Sequence, residues 1–364
     1  MNILLFLLIL LVLVLVHEFG HFIVAKVAKI RVDEFAFGFP PRLFSIKKGE
    51  TRYSFNLLPI GGYVKIYGED PNDVDARAHD KKRSFVGQHR LIQAAVIVAG
   101  VFMNIVLAWV FLSATFMVGT PASPEDPYGA YVKDVRLTVL EVRPDTPAAT
   151  SGLRSGDVIV QITDGEAAPL IPTSPEAVQN FIGPREGMGI SVSYLRGGDL
   201  ETLTVTPVAG IVPDRAAIGI AMDMYGTLRL PPHLAFWEGA KRTYEFTLLT
   251  ATGIWDFLSG IFTGRGDFAQ VTGPVGIVKA VGVAADSGIA NLLFFTALIS
   301  INLAIINLIP FPALDGGRLL FVIIEGITRR PIPAKFQNRA NVVGFAFLML
   351  LMIAVTWSDI AKLL

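Results

Sequence analysis

The segment His17-Glu18-Phe19-Gly20-His21 combines residue types that can carry out metal-dependent hydrolysis. On a helix, two histidines four residues apart lie on one face, about 6 Å apart along the axis, so both imidazoles can bind one zinc ion. Glu18 would then lie beside the open coordination position, where it can take a proton from an attacking water and pass it to the leaving amine. Because a five-residue motif also arises by chance, its surroundings decide how specific it is.

The motif lies within a strongly apolar stretch, residues 3–25, that is typical of a membrane helix. No basic residue precedes this stretch and no small-residue cleavage site closes it, so we expect a retained helix rather than a signal peptide. Ionisable side chains inside a membrane span are costly unless they are paired, solvated or bound to metal. Three of them within five residues therefore indicate a functional site.

A catalytic zinc ion usually has three protein ligands, and the chain contains no cysteine, so the third ligand must be His, Asp or Glu. Asp315 follows two helix-breaking prolines, Pro310 and Pro312, and precedes two glycines that permit close backbone approach. Irregular backbone at membrane depth is tolerated only where it is buried in protein or lines a cavity. We therefore predict that Asp315 is the third ligand; the alternative is that it merely caps the next helix. The remaining histidines are predicted to be ordinary surface or packing residues: His79, His89 and His233.

Composition indicates a membrane protein. Of 364 residues, 52% are hydrophobic and only 17% are charged, with a mean hydropathy of +0.54. Besides the first stretch, residues 91–118, 289–309 and 341–357 approach the roughly 20 apolar residues that cross a bilayer. Basic and acidic residues number 31 each, so no attraction to nucleic acid is expected. The fold class predicted is a polytopic α-helical membrane protein with four transmembrane helices.

The distribution of charge predicts the topology. Basic residues exceed acidic ones in residues 26–90 and 311–340, which are therefore expected in the cytoplasm, whereas acidic residues exceed basic ones in residues 120–235. Both termini would then be extracytoplasmic. His17, His21 and Asp315 would lie at the same depth, towards the cytoplasmic side, so the three ligands can meet.

The outer segment has the pattern of a small α+β domain. Residues 137–142 and 157–162 alternate like strands, and Gly197-Gly198 separates two strands of a predicted hairpin. The run from Val142 to Ile159 resembles the bacterial PDZ domain, with a generic sandwich as the alternative; the resemblance implies a possible binding site for a peptide C-terminus. After it, residues 236–262 predict an amphipathic helix in the membrane interface.

Three features of the chain match a known family: His-Glu-x-x-His in the first span, Asn-x-x-Pro-x-Pro-x-Leu-Asp-Gly-Gly after the third, and the PDZ insertion. Together they resemble the bacterial site-2 protease family, the RseP-like regulated intramembrane zinc metalloproteases. Ala99-Gly100 with Asn104, and Gly273-Pro274-Val275-Gly276, add to a resemblance that covers nearly the whole chain. It implies zinc bound by His17, His21 and Asp315, catalysis by Glu18, and substrate handling by Asn302 and Asn307. The chain departs from the family pattern in three ways. It has one PDZ domain where two are common, Val101 where Pro is frequent, and Arg318 where His is frequent. These departures leave the choice of substrate open.

Residues 35–66 predict a β-hairpin that dips towards the membrane, as the reentrant sheet of that family does. An exposed edge could add a substrate strand and so stretch a helix whose backbone hydrogen bonds are otherwise internal. Gly61, Gly62 and Tyr63 are the substrate contacts predicted there. The alternative is a cytoplasmic hairpin of purely structural use.

The function predicted is zinc-dependent cleavage of transmembrane segments of single-pass membrane proteins, such as anti-sigma factors or signal-peptide remnants, in a bacterial inner membrane. Zn2+ is the predicted cofactor; substrates, the bilayer and a peptide C-terminus are the predicted partners. One alternative is a non-catalytic PDZ-bearing membrane adaptor with a structural metal site. Another is a transporter, although no inverted repeat is visible.

The predicted segments are residues 1–25 (first transmembrane helix with the zinc motif), 26–90 (cytoplasmic or reentrant hairpin region), 91–118 (second transmembrane helix), 125–225 (PDZ domain), 233–265 (interfacial helix), 289–310 (third transmembrane helix), 311–340 (ligand loop and cytoplasmic segment) and 341–361 (fourth transmembrane helix).

Overall fold

The structure, a computed structural model, describes residues 2–69, 81–166, 168–264 and 272–362, so His79 and the end of the predicted interfacial helix at residue 265 lie outside the described residues. The chain forms two compact units, one made of Met1–Thr115 with Pro232–Leu364 and the other of Phe116–Pro231.

The helices and strands in chain order are α1 (Asn2–Val27), β1 (Val32–Lys48), β2 (Thr51–Ile66), α2 (Arg90–Val118), β3 (Thr120–Ala122), β4 (Val132–Val142), α3 (Pro147–Ser151), β5 (Val158–Thr163), α4 (Pro175–Ile182), β6 (Ile190–Arg196), β7 (Asp199–Val205), β8 (Val208–Val212), β9 (Arg215–Ala217), β10 (Ile220–Leu228), α5 (Pro232–Phe262), α6 (Pro274–Asp286), α7 (Ile289–Leu308), α8 (Asp315–Thr328) and α9 (Ala334–Ala361).

Among the described residues, four helices are long and apolar enough to cross a membrane: α1, α2, α7 and α9. Three of them closely follow the apolar stretches of the sequence. The fourth, α9, begins at Ala334, seven residues before the apolar stretch, directly after Pro333. Hydropathy cannot detect these first two turns because Lys335 and Arg339 make them polar, although a helix can continue from the membrane into water.

The sequence motif Gly273-Pro274-Val275-Gly276 begins a helix that the sequence analysis did not predict, α6. Pro274 occupies its first turn, where a missing N–H costs nothing. With 13 residues, α6 is too short to cross the bilayer, which takes about 20. The membrane unit therefore contains a short apolar helix between α5 and α7.

Strands β1 and β2 form the hairpin that residues 35–66 predict. Phe37 lies opposite both Gly62 and Phe55, so the first half of β1 is flanked by β2 on both sides. At the turn, Glu50 accepts hydrogen bonds from Lys26 (3.0 Å) and Arg83 (2.5 Å), which hold the pKa of its carboxyl below the usual range. Several large apolar side chains of the hairpin are exposed, as a surface in contact with lipid would require: Phe39, Leu43, Phe44, Ile46, Leu57 and Leu58.

The second unit contains a six-stranded sheet with the order β3-β10-β4-β5-β6-β7. Buried residues of its strands form one core with Val178 of α4: Leu137, Val139, Ile159, Ile162, Ile190 and Val192. Gly197 and Gly198 make the predicted turn between β6 and β7, both with positive φ. The last strand, β10, lies between β3 and β4 rather than at the end of the sheet.

Candidate active site

The side chains of His17, His21 and Asp315 converge on one point although 298 residues separate the first from the last. Nε2 of His17 lies 2.9 Å from Oδ2 of Asp315, and Nε2 of His21 lies 3.2 Å from the same oxygen. The two Nε2 atoms are 3.2 Å apart. Within the described part of the chain, these residues form the cluster of His, Asp and Glu side chains that could hold a metal ion.

The spacing of these three atoms fits a zinc site. Zinc binds His nitrogen and Asp oxygen at about 2.0–2.2 Å in tetrahedral geometry, which places neighbouring ligand atoms roughly 3.3 Å apart. The observed separations of 2.9 and 3.2 Å are close to that value. Two imidazoles and one carboxylate are also the ligand types of catalytic zinc sites that keep an open position.

Helix α2 orients both imidazoles. Nδ1 of His21 donates to the carbonyl oxygen of Val96 at 2.8 Å, which leaves its Nε2 directed at Asp315. Nδ1 of His17 lies 3.2 Å from the side-chain nitrogen of Asn104, while the Oδ1 atom of Asn104 is buried without a hydrogen-bond partner. Rotating this amide by half a turn gives the Nδ1–H of His17 an acceptor, as a histidine that binds metal through Nε2 requires.

Two glycines allow α1 and α2 to approach this closely. A Cβ atom at Gly100 would lie 2.5–2.8 Å from ring atoms of His21 and His17. On the other helix, a Cβ atom at Gly20 would collide with the backbone of Ala99. Small residues at such a crossing let membrane helices pack backbone to backbone, so the pair fixes the depth at which the imidazoles meet α2.

Asp315 is the first residue of α8, and an irregular turn positions it. The helix α7 ends before Pro310, and Ala313 has a φ of 76°, a left-handed conformation that costs a non-glycine residue about 1–3 kcal/mol. Gly316 and Gly317 have no room for a Cβ atom because carbonyl oxygens of the turn, including that of Ile309 and that of Phe311, lie against them. The Pro-x-Pro and Gly-Gly pairs thus shape one tight turn.

Glu18 lies half-buried beside the cluster, and its Oε2 atom accepts a 3.0 Å hydrogen bond from the backbone N–H of Val64 in β2. Gly62 in the same strand leaves no room for a side chain, since a Cβ atom would lie 3.0 Å from Leu15 of α1 and closer still to the backbone of Ala36. The strand residues Gly61, Gly62 and Tyr63 therefore pass directly by the helix that carries the two histidines.

The other predicted residues are less closely associated with the cluster. Asn302 is exposed and donates within its own helix to the carbonyl oxygen of Leu298. Asn307 is half-buried near the end of α7. In the described structure, neither shares a hydrogen bond with His17, Glu18, His21 or Asp315. His89 and His233 are exposed and lie outside the cluster.

Sequence reasoning missed the residues that support this cluster. Val96 and Val64 contribute backbone groups, which no side-chain pattern reveals. Asn104 and Gly100 were noted only as parts of a family resemblance. The signal that could have found them is the rarity of a buried asparagine and of glycine inside an otherwise aliphatic span.

Comparison with known sequences gives a consistent result. The profile described as Peptidase family M50 matches residues 5–351. A Clostridium perfringens protein with a provisional zinc metalloprotease name is 37% identical over 349 residues, covering 96% of this chain and 95% of that protein. The zinc metalloprotease RasP of Oceanobacillus iheyensis is 32% identical over 432 residues, covering 97% of each chain.

Among solved structures, the PDZ domain of an SdrC-like protein from Listeria innocua is 28% identical. The match covers 24% of this chain and 92% of that one, with a TM-score of 0.21. The corresponding PDZ domain from Listeria monocytogenes is 27% identical, with 24% and 86% covered and a TM-score of 0.21.

Proposed function

Because this chain belongs to peptidase family M50, the site-2 protease family, we propose that it cleaves transmembrane segments of single-pass membrane proteins. The predictions of this family, of a polytopic membrane protein with an inserted PDZ domain, and of a zinc metalloprotease are confirmed. The substrate class, the residues of the site and the membrane orientation are proposals.

We assign zinc binding to His17, His21 and Asp315. The observation that carries this assignment is the convergence of their three ligand atoms within an apolar helix bundle, where an unbound cluster of ionisable groups would be costly. Zinc held there would supply a Lewis acid that polarises the scissile carbonyl and promotes ionisation of the attacking water. Glu18 would take the proton from that water and deliver it to the leaving amine.

The strand that contains Gly61, Gly62 and Tyr63 is the proposed substrate contact. A helix protects its peptide bonds because its backbone groups are paired internally, so a substrate segment must be extended before cleavage. Support comes from Val64, whose N–H contacts Glu18: a chain added beside this strand would run close to the catalytic carboxylate. Asn302 and Asn307 are proposed to handle the substrate by family resemblance alone.

We further propose a bacterial plasma membrane location with both termini extracytoplasmic and the active site towards the cytoplasm. The PDZ domain would then be extracytoplasmic, where it could bind a peptide C-terminus or exclude substrates with an untrimmed outer domain. Anti-sigma factors and signal-peptide remnants are the substrate types that the family resemblance suggests.

The test compares the full chain with Glu18→Gln in detergent, on a model peptide that contains one apolar span. We expect about one zinc per chain in both proteins, and a loss of cleavage of about a hundredfold or more in the variant, since general acid–base catalysis contributes about 10²–10⁴-fold. Cleavage at an unchanged rate by Glu18→Gln would contradict the proposed mechanism.

A further inference from the structure

Helix α9 contacts the rest of the membrane unit through very few buried positions. Of its residues, only Gly344 and Asp359 are buried, and most of its large apolar side chains are exposed. The carboxylate of Asp359 accepts hydrogen bonds from the backbone N–H groups of Gly273 (3.1 Å) and Gly276 (2.8 Å) at the start of α6. One attachment of α9 is therefore a cap on α6, and Gly344 marks a second.

The second attachment is made to the turn that precedes Asp315. Gly344 has no room for a Cβ atom because the backbone of Pro312 lies against it. One turn earlier in α9, Oδ1 of Asn341 accepts a hydrogen bond from the N–H of Ala313 at 3.2 Å. One turn later, the ring of Phe347 lies 5.6 Å from that of Phe311. These three positions of α9 are spaced by three residues and so form one face, which packs on Phe311, Pro312 and Ala313.

Within the described residues, the other backbone hydrogen bonds of that turn are internal to it. The N–H groups of Phe311 and Leu314 donate to Ile309 and Phe311, within the connection itself, and Pro312 has no N–H. The N–H of Ala313 is thus the donor that links the turn to another helix. Ala313 is also the residue in the left-handed conformation, which an alanine adopts only when its surroundings hold it there.

We propose that Asn341 is a positioning residue for Asp315: its side-chain oxygen holds the Ala313 turn, and the turn directs the Asp315 carboxylate at His17 and His21. In the described structure Asn341 shares no hydrogen bond with the imidazoles or the carboxylate, so it acts through Ala313 and Leu314, the two residues that precede α8. The proposal rests on the proposed zinc-ligand role of Asp315. In this proposal, α9 holds Asp315, the third proposed zinc ligand, in position.

The test measures zinc affinity of the full chain in detergent by competition with a chelator. Asn341→Leu keeps the volume but removes the acceptor, and it also fills the space that a water could otherwise take in the cavity shared by Asn341 and Asp315. We expect zinc to bind about ten- to a hundredfold more weakly, as when outer partners of metal ligands are lost. Asn341→Asp retains an acceptor oxygen of the same shape and should bind zinc at least as tightly as the parent.

A matched control is Asn291→Leu, which removes an exposed asparagine whose side-chain N–H donates to the carbonyl oxygen of Ser287, one turn earlier. Its zinc affinity should equal that of the parent. Thermal unfolding of the zinc-free proteins should give similar midpoints for Asn341→Leu and the parent, because a local turn is changed rather than the helix bundle.

Asp315→Ala in the same titration separates the two proposals. If Asp315→Ala bound zinc like the parent, the ligand assignment itself would be wrong. If Asp315→Ala lost zinc while Asn341→Leu retained parental affinity, the positioning role of Asn341 would be overturned. Equal weakening in Asn341→Leu and Asn341→Asp, or a lower unfolding midpoint in the zinc-free Asn341→Leu protein, would overturn it as well.

Discussion

The two histidines are supported by a helix that contributes none of the three proposed zinc ligands. In α2, the carbonyl oxygen of Val96 accepts a hydrogen bond from the Nδ1–H of His21, and the side-chain amide of Asn104 lies beside Nδ1 of His17. The backbone at Asn104 is in turn tied to α7, because the hydroxyl of Ser300 donates to the backbone carbonyl oxygen of Asn104 at 2.7 Å. Each imidazole is thereby held in a single orientation before any metal binds, which reduces the ordering cost of binding.

Gly100→Ala tests this support. A methyl group at position 100 would lie 2.5–2.8 Å from the imidazoles, so the rings must shift and the three ligand atoms no longer converge. We expect zinc content and cleavage to fall together by about tenfold or more, by analogy with the loss of outer partners of metal ligands. Zinc analysis after dialysis and a cleavage assay would measure both.

The matched control is Gly253→Ala, also inside a helix, where a Cβ atom has nothing within 4 Å. It should leave zinc and cleavage unchanged and stabilise the helix by up to about 1 kcal/mol, because alanine is the better helix former. Parental zinc content in Gly100→Ala would show that the imidazoles tolerate a displaced α2.

At the scale of secondary structure, the ends of α9 have different partners. Near one end it packs on the turn that leads to Asp315, and near the other Asp359 accepts the amides at the start of α6. Most of the helix between these points exposes apolar side chains, as a surface facing lipid does. The position of α9 relative to α6 and α8 therefore depends on a few polar contacts. Hydrogen bonds can fix this position because they require a particular distance and direction.

Asp359→Asn tests the attachment to α6. The variant keeps the shape but loses the charge and one acceptor oxygen, so one of the two amide N–H groups is left facing an NH2 group. Hydrogen bonds to a charged group contribute about 1.5–3 kcal/mol, and we expect the free energy of unfolding in detergent to fall by about that amount. A thermal or denaturant melt would measure the change.

The control for this variant is Asp256→Asn in α5, an exposed aspartate whose change should leave the melt unaltered. If Asp359→Asn and Asp256→Asn both had the same unfolding midpoint as the parent, the cap on α6 would contribute nothing to stability.

At the scale of the whole molecule, the proposed orientation can be read from chemical labelling because the chain has no cysteine. A single cysteine at Asp199, exposed in the second unit, should react with a membrane-impermeant maleimide added outside intact cells. A single cysteine at Arg330, exposed after α8, should react only after the membrane is permeabilised. The reverse labelling pattern would show that the topology is inverted, with His17, His21 and Asp315 near the outer leaflet.

Much of this protein is encoded locally in its sequence. Aliphatic runs of about 20 residues determined the membrane helices, alternating patterns and paired glycines determined the strands of the second unit, and two histidines at helical spacing around Glu18 indicated the site. Even the meeting of His17 with Asp315 could be inferred, because the number of spans fixes which ends of two helices share a side of the membrane.

The tertiary structure alone decided which groups support the site. The acceptor for His21 is a backbone carbonyl, the donor to Glu18 is a backbone N–H, and the Ala313 turn is held by an asparagine 28 residues further on. A sequence pattern records which residues are apolar and how they repeat along one element. It does not record where two elements touch, because helix crossings, close approaches at glycine and backbone hydrogen bonds between distant segments are set only when the chain packs.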